Sequence, residues 1–211
     1  MAAPDPSILY GSGLSPRQAA IKRAFDIAGA LVGLVLTSWL IVVAWFLATL
    51  DTRRNGFFTQ QRVGRHGRHF RIVKIRTMRH SPTHLTSVTT ASDPRVTTLG
   101  RFFRRSRIDE LPQLWNVLLG QMSFVGPRPD VPGFADVLTG EDAQILALRP
   151  GITGPATLKY RDEESLLAAV EDPEAYNYYV IFPDKVRLNR DYVRNWSLRQ
   201  DLVYLWRTLF E

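Results

Sequence analysis

The longest uninterrupted apolar stretch of the chain runs from Ile27 to Leu50 and contains no charged residue. Apolar side chains cover every face of this segment, which suits a helix surrounded by lipid better than one lying on a core. At ~1.5 Å per residue it spans ~36 Å, enough for a ~30 Å hydrocarbon layer. It lies far from Met1 and no small-residue cleavage site follows it, so it does not read as a secretory signal. Arg17, Lys22 and Arg23 precede it, and Arg53, Arg54, Arg62 and Arg65 follow. Positive flanks are retained on the cytoplasmic side of a membrane. A helix that enters and turns back keeps both flanks there, and Thr37-Ser38 near its middle can bond back to helix carbonyls and bend the axis. The segment is therefore expected to be re-entrant, with a straight crossing as the rival, and to be preceded by an amphipathic lead-in over 17–26.

After the apolar segment the pattern changes. Phe57–Val63 and Phe70–Ile75 are β-prone runs separated by a turn carrying Gly64 and Gly67, which predicts a hairpin. The Ser-, Thr- and Pro-rich stretch 80–98 predicts a loop. Helical patterning returns over 99–120, with a break near Asp109, and again over 134–148, 161–170 and 182–211. In the last segment Leu188, Tyr192, Trp196, Leu202, Leu205, Trp206 and Leu209 recur at helical spacing with arginines between them. That arrangement suits a helix lying in a headgroup layer or one packed on the domain. The expected fold is α+β and mostly helical: an N-terminal membrane helix, a small β-hairpin and amphipathic interfacial helices. The expected divisions are a flexible leader over 1–16, the lead-in and membrane helix over 17–50, and a catalytic domain over 51–211.

Composition narrows the chemistry. The 211 residues are 45% hydrophobic and carry a formal net charge of +7. This excludes a wholly disordered chain and favours anionic partners: phosphorylated substrates, anionic lipid or nucleic acid. With no cysteine in the sequence, disulfides, thiolate catalysis and zinc–thiolate sites are excluded. His66, His69, His80 and His84 fall in a basic stretch without metal-ligand framing and read as solvated.

The chemically informative run is Leu99–Asn116. Pro112 is tolerated only in the first turn of a helix, so a helix should start near Asp109, itself a favoured N-cap. Asp109-Glu110 then stands at the positive end of a helix, behind Arg101, Arg104, Arg105 and Arg107. This is an anion site beside two carboxylates. Guanidinium groups and a divalent ion would remove the mutual repulsion, hold the Asp109 carboxyl below its usual range and keep it ionised for attack on phosphorus. Neighbouring helical residues point ~100° apart, so a facing acid/base pair is excluded and a division of labour is expected. One carboxylate attacks and the other holds metal or orients groups. Mg²⁺ is the ion suited to oxygen ligands and phosphates. Lys74 and Arg76 at the end of the hairpin are expected on one face, and Gly126-Pro-Arg-Pro129 presents Arg128 from a rigid loop. Read without the other motifs, Asp109-Glu110 is equally a capping Asp beside an exposed Glu.

The ordered set resembles the bacterial sugar transferase family, the monotopic polyprenyl-phosphate phosphoglycosyl transferases. The matching pieces are Lys22–Asp26, Phe57–Gly64, Lys74–Met78, Asp93–Thr97, Ile108–Val117, Met122–Pro129 and Arg149–Gly154, reaching from about residue 20 to the end. The resemblance implies a UDP-sugar donor, a polyprenyl phosphate acceptor, release of UMP and a phosphosugar–aspartate intermediate on Asp109, with Glu110 as the second acid. It implies Mg²⁺ held at Asp109 and Glu110, phosphate binding by Lys74, Arg76, Arg104 and Arg128, a re-entrant helix, and a place on the cytoplasmic face of the bacterial inner membrane. It also implies the small form of the family, without an added multi-span domain. One departure stands out: the family has Ser-Pro in mid-helix, and this chain has Ser38-Trp39.

The competing reading is a non-catalytic, membrane-anchored basic protein binding anionic lipid or nucleic acid. Nucleic acid is disfavoured because aromatic and basic residues do not interleave in the hairpin and no helix-turn-helix or RNA-binding motif is present. Sugar selectivity is expected from loops after Gly154, including residues 159–164.

Overall fold

The computed structural model describes residues 13–80, 90 and 93–211. The elements are helix α1 (Pro16–Thr52), a hairpin of β1 (Phe57–Val63) and β2 (His69–Ile75), helices α2 (Thr98–Arg105) and α3 (Gln113–Leu118), and strands β3 (Ser123–Val125) and β4 (Gly151–Thr153). Helices α4 (Pro155–Lys159), α5 (Glu163–Ala168), α6 (Pro173–Tyr176), α7 (Phe182–Arg194) and α8 (Leu198–Phe210) follow. This is the mostly helical α+β arrangement expected. Most of the leader, and most of the loop over 80–98 with His84, lie outside the described residues.

Helix α1 starts where its cap dictates. The Gln18 amide donates to Ser15 Oγ (3.3 Å), the Ser15 amide donates to Gln18 Oε1 (2.9 Å), and Pro16 occupies the first turn. The helix runs uninterrupted for 37 residues and ends before Arg53, which is left-handed at φ 54°. No turn divides it. Thr37 and Ser38 donate back to the carbonyls of Gly33 (2.7 Å) and Val35 (3.3 Å), so their hydroxyls are satisfied without opening the backbone ladder. α1 is long and apolar enough to cross a membrane.

One face of α1 is buried against the domain in two stretches, one towards each end. Lys22, Asp26 and Ala30, and again Ala44, Ala48 and Thr52, are buried at four-residue spacing. Ala30 packs against Ile72, Val117 and Met122, and Ala44 and Ala48 against Ile75 and Phe103. Small residues set the approach: a Cβ at Gly29 would come within 2.7 Å of the Phe124 ring. The opposite face, with Leu31, Val35, Trp39, Val42, Phe46 and Leu50, is exposed.

The hairpin is antiparallel, in register from Phe57↔Ile75 to Val63↔His69. Its turn places both His66 and Gly67 at positive φ. β3 and β4 form a short parallel pair, Ser123↔Gly151 and Val125↔Thr153. The Gly126 amide donates to Thr153 O (2.9 Å) and the Gly151 amide to Pro127 O (2.8 Å), so the Gly-Pro-Arg-Pro loop is stitched to the Arg149–Gly154 segment. A Cβ on Gly126 would collide with the Arg149 carbonyl, which explains a glycine there.

Three expected elements form differently. Residues 134–148 are not one α-helix: they make 3₁₀ turns at Ala135–Val137 and Asp142–Ala147, with Gly140 at φ 59° between them. The segment 182–211 is two helices, because Ser197 caps a new helix by accepting from the Gln200 amide (3.3 Å). The stripe read along it splits accordingly: Tyr192 and Trp196 are buried, whereas Leu202, Trp206 and Leu209 are exposed. Finally, Asp109 is not an N-cap. It sits inside a 3₁₀ turn, Ile108–Glu110, and α3 begins one turn later after Pro112. Left-handed Arg107 (φ 59°) starts that turn, and Pro112 delays the helix.

Candidate functional site

The site is assembled by the turn Ile108–Glu110, docked on the hairpin. Asn116 of α3 fixes the docking. Its Nδ2 donates to Arg71 O (2.8 Å) and its Oδ1 accepts from the Val73 amide (3.1 Å), which ties the helix to β2. Leu114, on the same helix, meets α1 near Gly33. The turn is thereby held between the membrane-type helix and the end of β2, where Lys74 projects.

Glu110 is the hub. Its Oε1 accepts from Lys74 Nζ (2.8 Å) and from Arg128 (3.1 Å), and its Oε2 lies 3.9 Å from Arg107. The carboxylate is buried, and burial pushes its pKa up. Lys74 and Arg128 outweigh that effect, so its pKa is held well below the ordinary range. Burial pushes the Lys74 ammonium down, and the Glu110 charge, with a smaller contribution from Asp109, opposes this. Asp109 is also buried, but its Oδ1 has no hydrogen-bond partner among the described residues. Its pKa is raised, first by burial and then by the Glu110 charge, against the partial relief of Lys74, Arg104 and Arg128. The depressed value expected for Asp109 is therefore not found. Glu110 takes the direct contacts of the cations and leaves Asp109 with burial and a like charge.

The predicted basic residues divide. Lys74 and Arg128 are in direct contact with Glu110. Arg104 is anchored by donating its Nε to Thr77 Oγ1 (3.0 Å) and forms an ion pair with Glu164 (2.6 Å). Arg76 is not brought to the carboxylates. It donates to the carbonyls of Asn55 (2.8 Å) and Phe57 (3.2 Å), because β2 ends at Ile75 and the chain has left the face that Lys74 occupies. Arg101 reaches Val96 O and Thr98, and Arg105 is exposed.

Sequence reasoning missed a second ring of charge behind Arg128. Arg62 donates to Pro129 O (3.2 Å), and the Val63 amide donates to Asp130 O (2.9 Å), so β1 carries the Arg128 loop. Burial pushes Asp130 up to about 6, against Lys185, Arg62 and Arg128. Lys185 in turn binds both oxygens of Glu163 (2.7 Å each). The only signal for this ring was the basic excess of the chain, because its members come from four separate elements. The first basic flank also has a structural use. Lys22 is buried against Asp201 (2.6 Å), and Arg23 donates to Val117 O and Leu118 O (2.7 Å each) at the end of α3.

Among the described residues no group of three or more His, Cys, Asp or Glu could hold a metal. The donors at hand are the orphan oxygen of Asp109 and the Glu110 carboxylate already engaged by Lys74 and Arg128. A divalent ion bound mainly by substrate phosphates needs only one or two protein carboxylates, and this donor set fits that case. The arrangement is a buried, unpartnered carboxylate oxygen of Asp109 within the field of Lys74, Arg104 and Arg128.

The sequence profile of the bacterial sugar transferase family matches residues 17–211, and the chain belongs to that family. A Bacillus subtilis (strain 168) protein is 45% identical over 126 residues, 59% of this chain and 70% of its own length; it is provisionally named an undecaprenyl-phosphate N-acetylgalactosaminyl 1-phosphate transferase. The undecaprenyl-phosphate galactose phosphotransferase of Salmonella typhimurium is 32% identical over 204 residues, 89% of this chain and 39% of that protein. The exopolysaccharide production protein ExoY of Rhizobium meliloti is 30% identical over 204 residues, 89% of this chain and 83% of its own. The chain thus spans well under half of the Salmonella relative and most of ExoY.

Proposed function

We propose that the chain is a phosphoglycosyl transferase that moves a sugar-1-phosphate from a UDP-sugar to a polyprenyl phosphate such as undecaprenyl phosphate, releasing UMP. The relatives' names supply the substrate classes, and the observation that carries the reading is the orphan Oδ1 of Asp109 beside Glu110. Asp109 Oδ1 attacks the sugar-bearing phosphorus of the donor. The bond to the UMP oxygen breaks, UMP leaves with the electron pair, and a phosphosugar–aspartate anhydride remains. An oxygen of the polyprenyl phosphate then attacks the same phosphorus, the bond to Asp109 breaks, and the carboxylate is regenerated. Lys74, Arg104 and Arg128 offset the phosphate charge, and Glu110 keeps Lys74 and Arg128 oriented towards it. Mg²⁺, held by Asp109 with Glu110 beside it and by substrate oxygens, would neutralise phosphate charge.

The packing of α1 supports placing both of its ends on the cytoplasmic face of the inner membrane, with the unbroken helix lying along that face rather than turning back within the bilayer. The domain packs against one side of the helix over both 22–30 and 44–52, so a straight crossing would draw charged parts of the domain into hydrocarbon, which is costly. The exposed Leu202, Trp206 and Leu209 of α8 suit the headgroup layer.

The test is single-turnover labelling. Wild-type protein given a UDP-sugar labelled in the sugar, without acceptor, should release about one equivalent of UMP and retain label after denaturation. Asp109→Asn should do neither. Retained label in the Asn variant would sink the nucleophile assignment. A chelator should stop turnover, and Mg²⁺ should restore it; full activity after exhaustive metal removal would exclude the metal role.

A further inference from the structure

Three cations surround Asp109, and their partners differ in kind. Lys74 and Arg128 are held by Glu110, which is buried and comes from the same turn as Asp109. Arg104 is held by Glu164, which comes from α5 and has a side chain about half exposed (48%). Arg104 does not need this partner for its position, since its Nε is already fixed on Thr77 Oγ1 (3.0 Å). Nor does α5 need it. The preceding residue, Glu163, ties the start of α5 to Lys185 through both oxygens (2.7 Å each), and Tyr160 and Lys159 hold the approach to α5 on Asp184 (2.8 and 2.6 Å). The Glu164 carboxylate is therefore free to swing into solvent while both backbones stay where they are.

A carboxylate and a phosphate oxygen compete for the same guanidinium fork. We propose that Glu164 is a built-in competitor for the donor phosphate, holding Arg104 until the substrate displaces it. The inference rests on the reading of Arg104 as a phosphate-binding residue. Glu164 acts through Arg104 and is a positioning residue, not a catalytic one. Its exchange is easy because an exposed ion pair is weak, in contrast to the Glu110 contacts, which persist. The arrangement keeps the guanidinium charge compensated in the empty site at the expense of apparent donor affinity.

The experiment measures KM and kcat for the UDP-sugar with full-length protein in vesicles, comparing wild type with Glu164→Gln, Glu164→Asp and Arg104→Gln. Glu164→Gln should lower KM about two- to five-fold at low salt, the factor that corresponds to an exposed ion pair. Its kcat should stay close to wild type. The KM difference should shrink as ionic strength rises. Glu164→Asp, which keeps the charge, should return KM towards wild type. An unchanged or raised KM in Glu164→Gln, with KM raised in Arg104→Gln, would overturn the competitor role while leaving Arg104 as a phosphate ligand. An unchanged KM in Arg104→Gln would overturn the reading on which the inference stands.

Discussion

Lys22 and Asp201, 179 residues apart, form a buried ion pair of 2.6 Å that joins the first turns of α1 to α8. Asp201 also accepts from Tyr192 (2.7 Å) and Trp196 (3.0 Å), so one carboxylate serves three donors. Asp201→Ala strands a buried ammonium and two other donors and should cost about 4 kcal/mol. Lys22→Met should cost less, because Asp201 keeps its other two bonds. Thermal unfolding in detergent ranks the two variants; equal losses would mean that the aromatic donors contribute nothing.

The carboxylate pair should show in the pH dependence. On the proposed mechanism Asp109 attacks only when ionised, and its pKa lies above the ordinary range. Activity should therefore fall on acidification at a higher pH than an ordinary aspartate would give, while Glu110, held low, is still charged. Glu110→Gln removes the like charge beside Asp109 and releases two cations towards it. Both changes lower the Asp109 pKa, so the acid limb of the residual activity should move to lower pH. An acid limb that stayed in place in Glu110→Gln would disconnect it from Asp109.

Arg76 and Arg128 should behave differently although both looked like phosphate ligands. Arg128→Lys replaces a planar fork on Glu110 with a point charge and should cost kcat/KM about thirtyfold, within the range of one charge-assisted hydrogen bond. Arg76→Gln loses bonds to backbone carbonyls and should cost about 1 kcal/mol of stability, with kcat/KM nearly intact. A large kinetic loss in Arg76→Gln with unchanged stability would return Arg76 to the site.

The fold was legible where chemistry is local. Gly64 and Gly67 between β-prone runs gave the hairpin, and Pro112 marked the break beside Asp109. What was lost depended on tertiary partners. The N-cap role expected of Asp109 assumed that the helix begins where a capping residue stands, but left-handed Arg107 starts a tighter turn first. The low pKa expected of Asp109 assumed that nearby arginines act on the nearest carboxylate, whereas Glu110 intercepts them. Arg62, Asp130, Glu163 and Lys185 carry no local pattern, and only the folded chain brings them behind Arg128.

The disposition of α1 can be checked in this cysteine-free chain by placing single cysteines at Arg17 and Arg54, both exposed near its ends. In intact cells a membrane-impermeant thiol reagent should reach neither until lysis. Labelling at Arg17→Cys alone would establish a true crossing.

The buried stripe of α1 also dictates the order of biogenesis. Ala30, Ala44 and Ala48 fill the core between elements that are synthesised after them. The helix is synthesised before the hairpin, α2 and α3, which then condense on its inner face. A chain released from α1 would leave Ile72, Val117 and Met122 bare, so the helix is also a folding template. Renaturation without an amphiphile should end in aggregate.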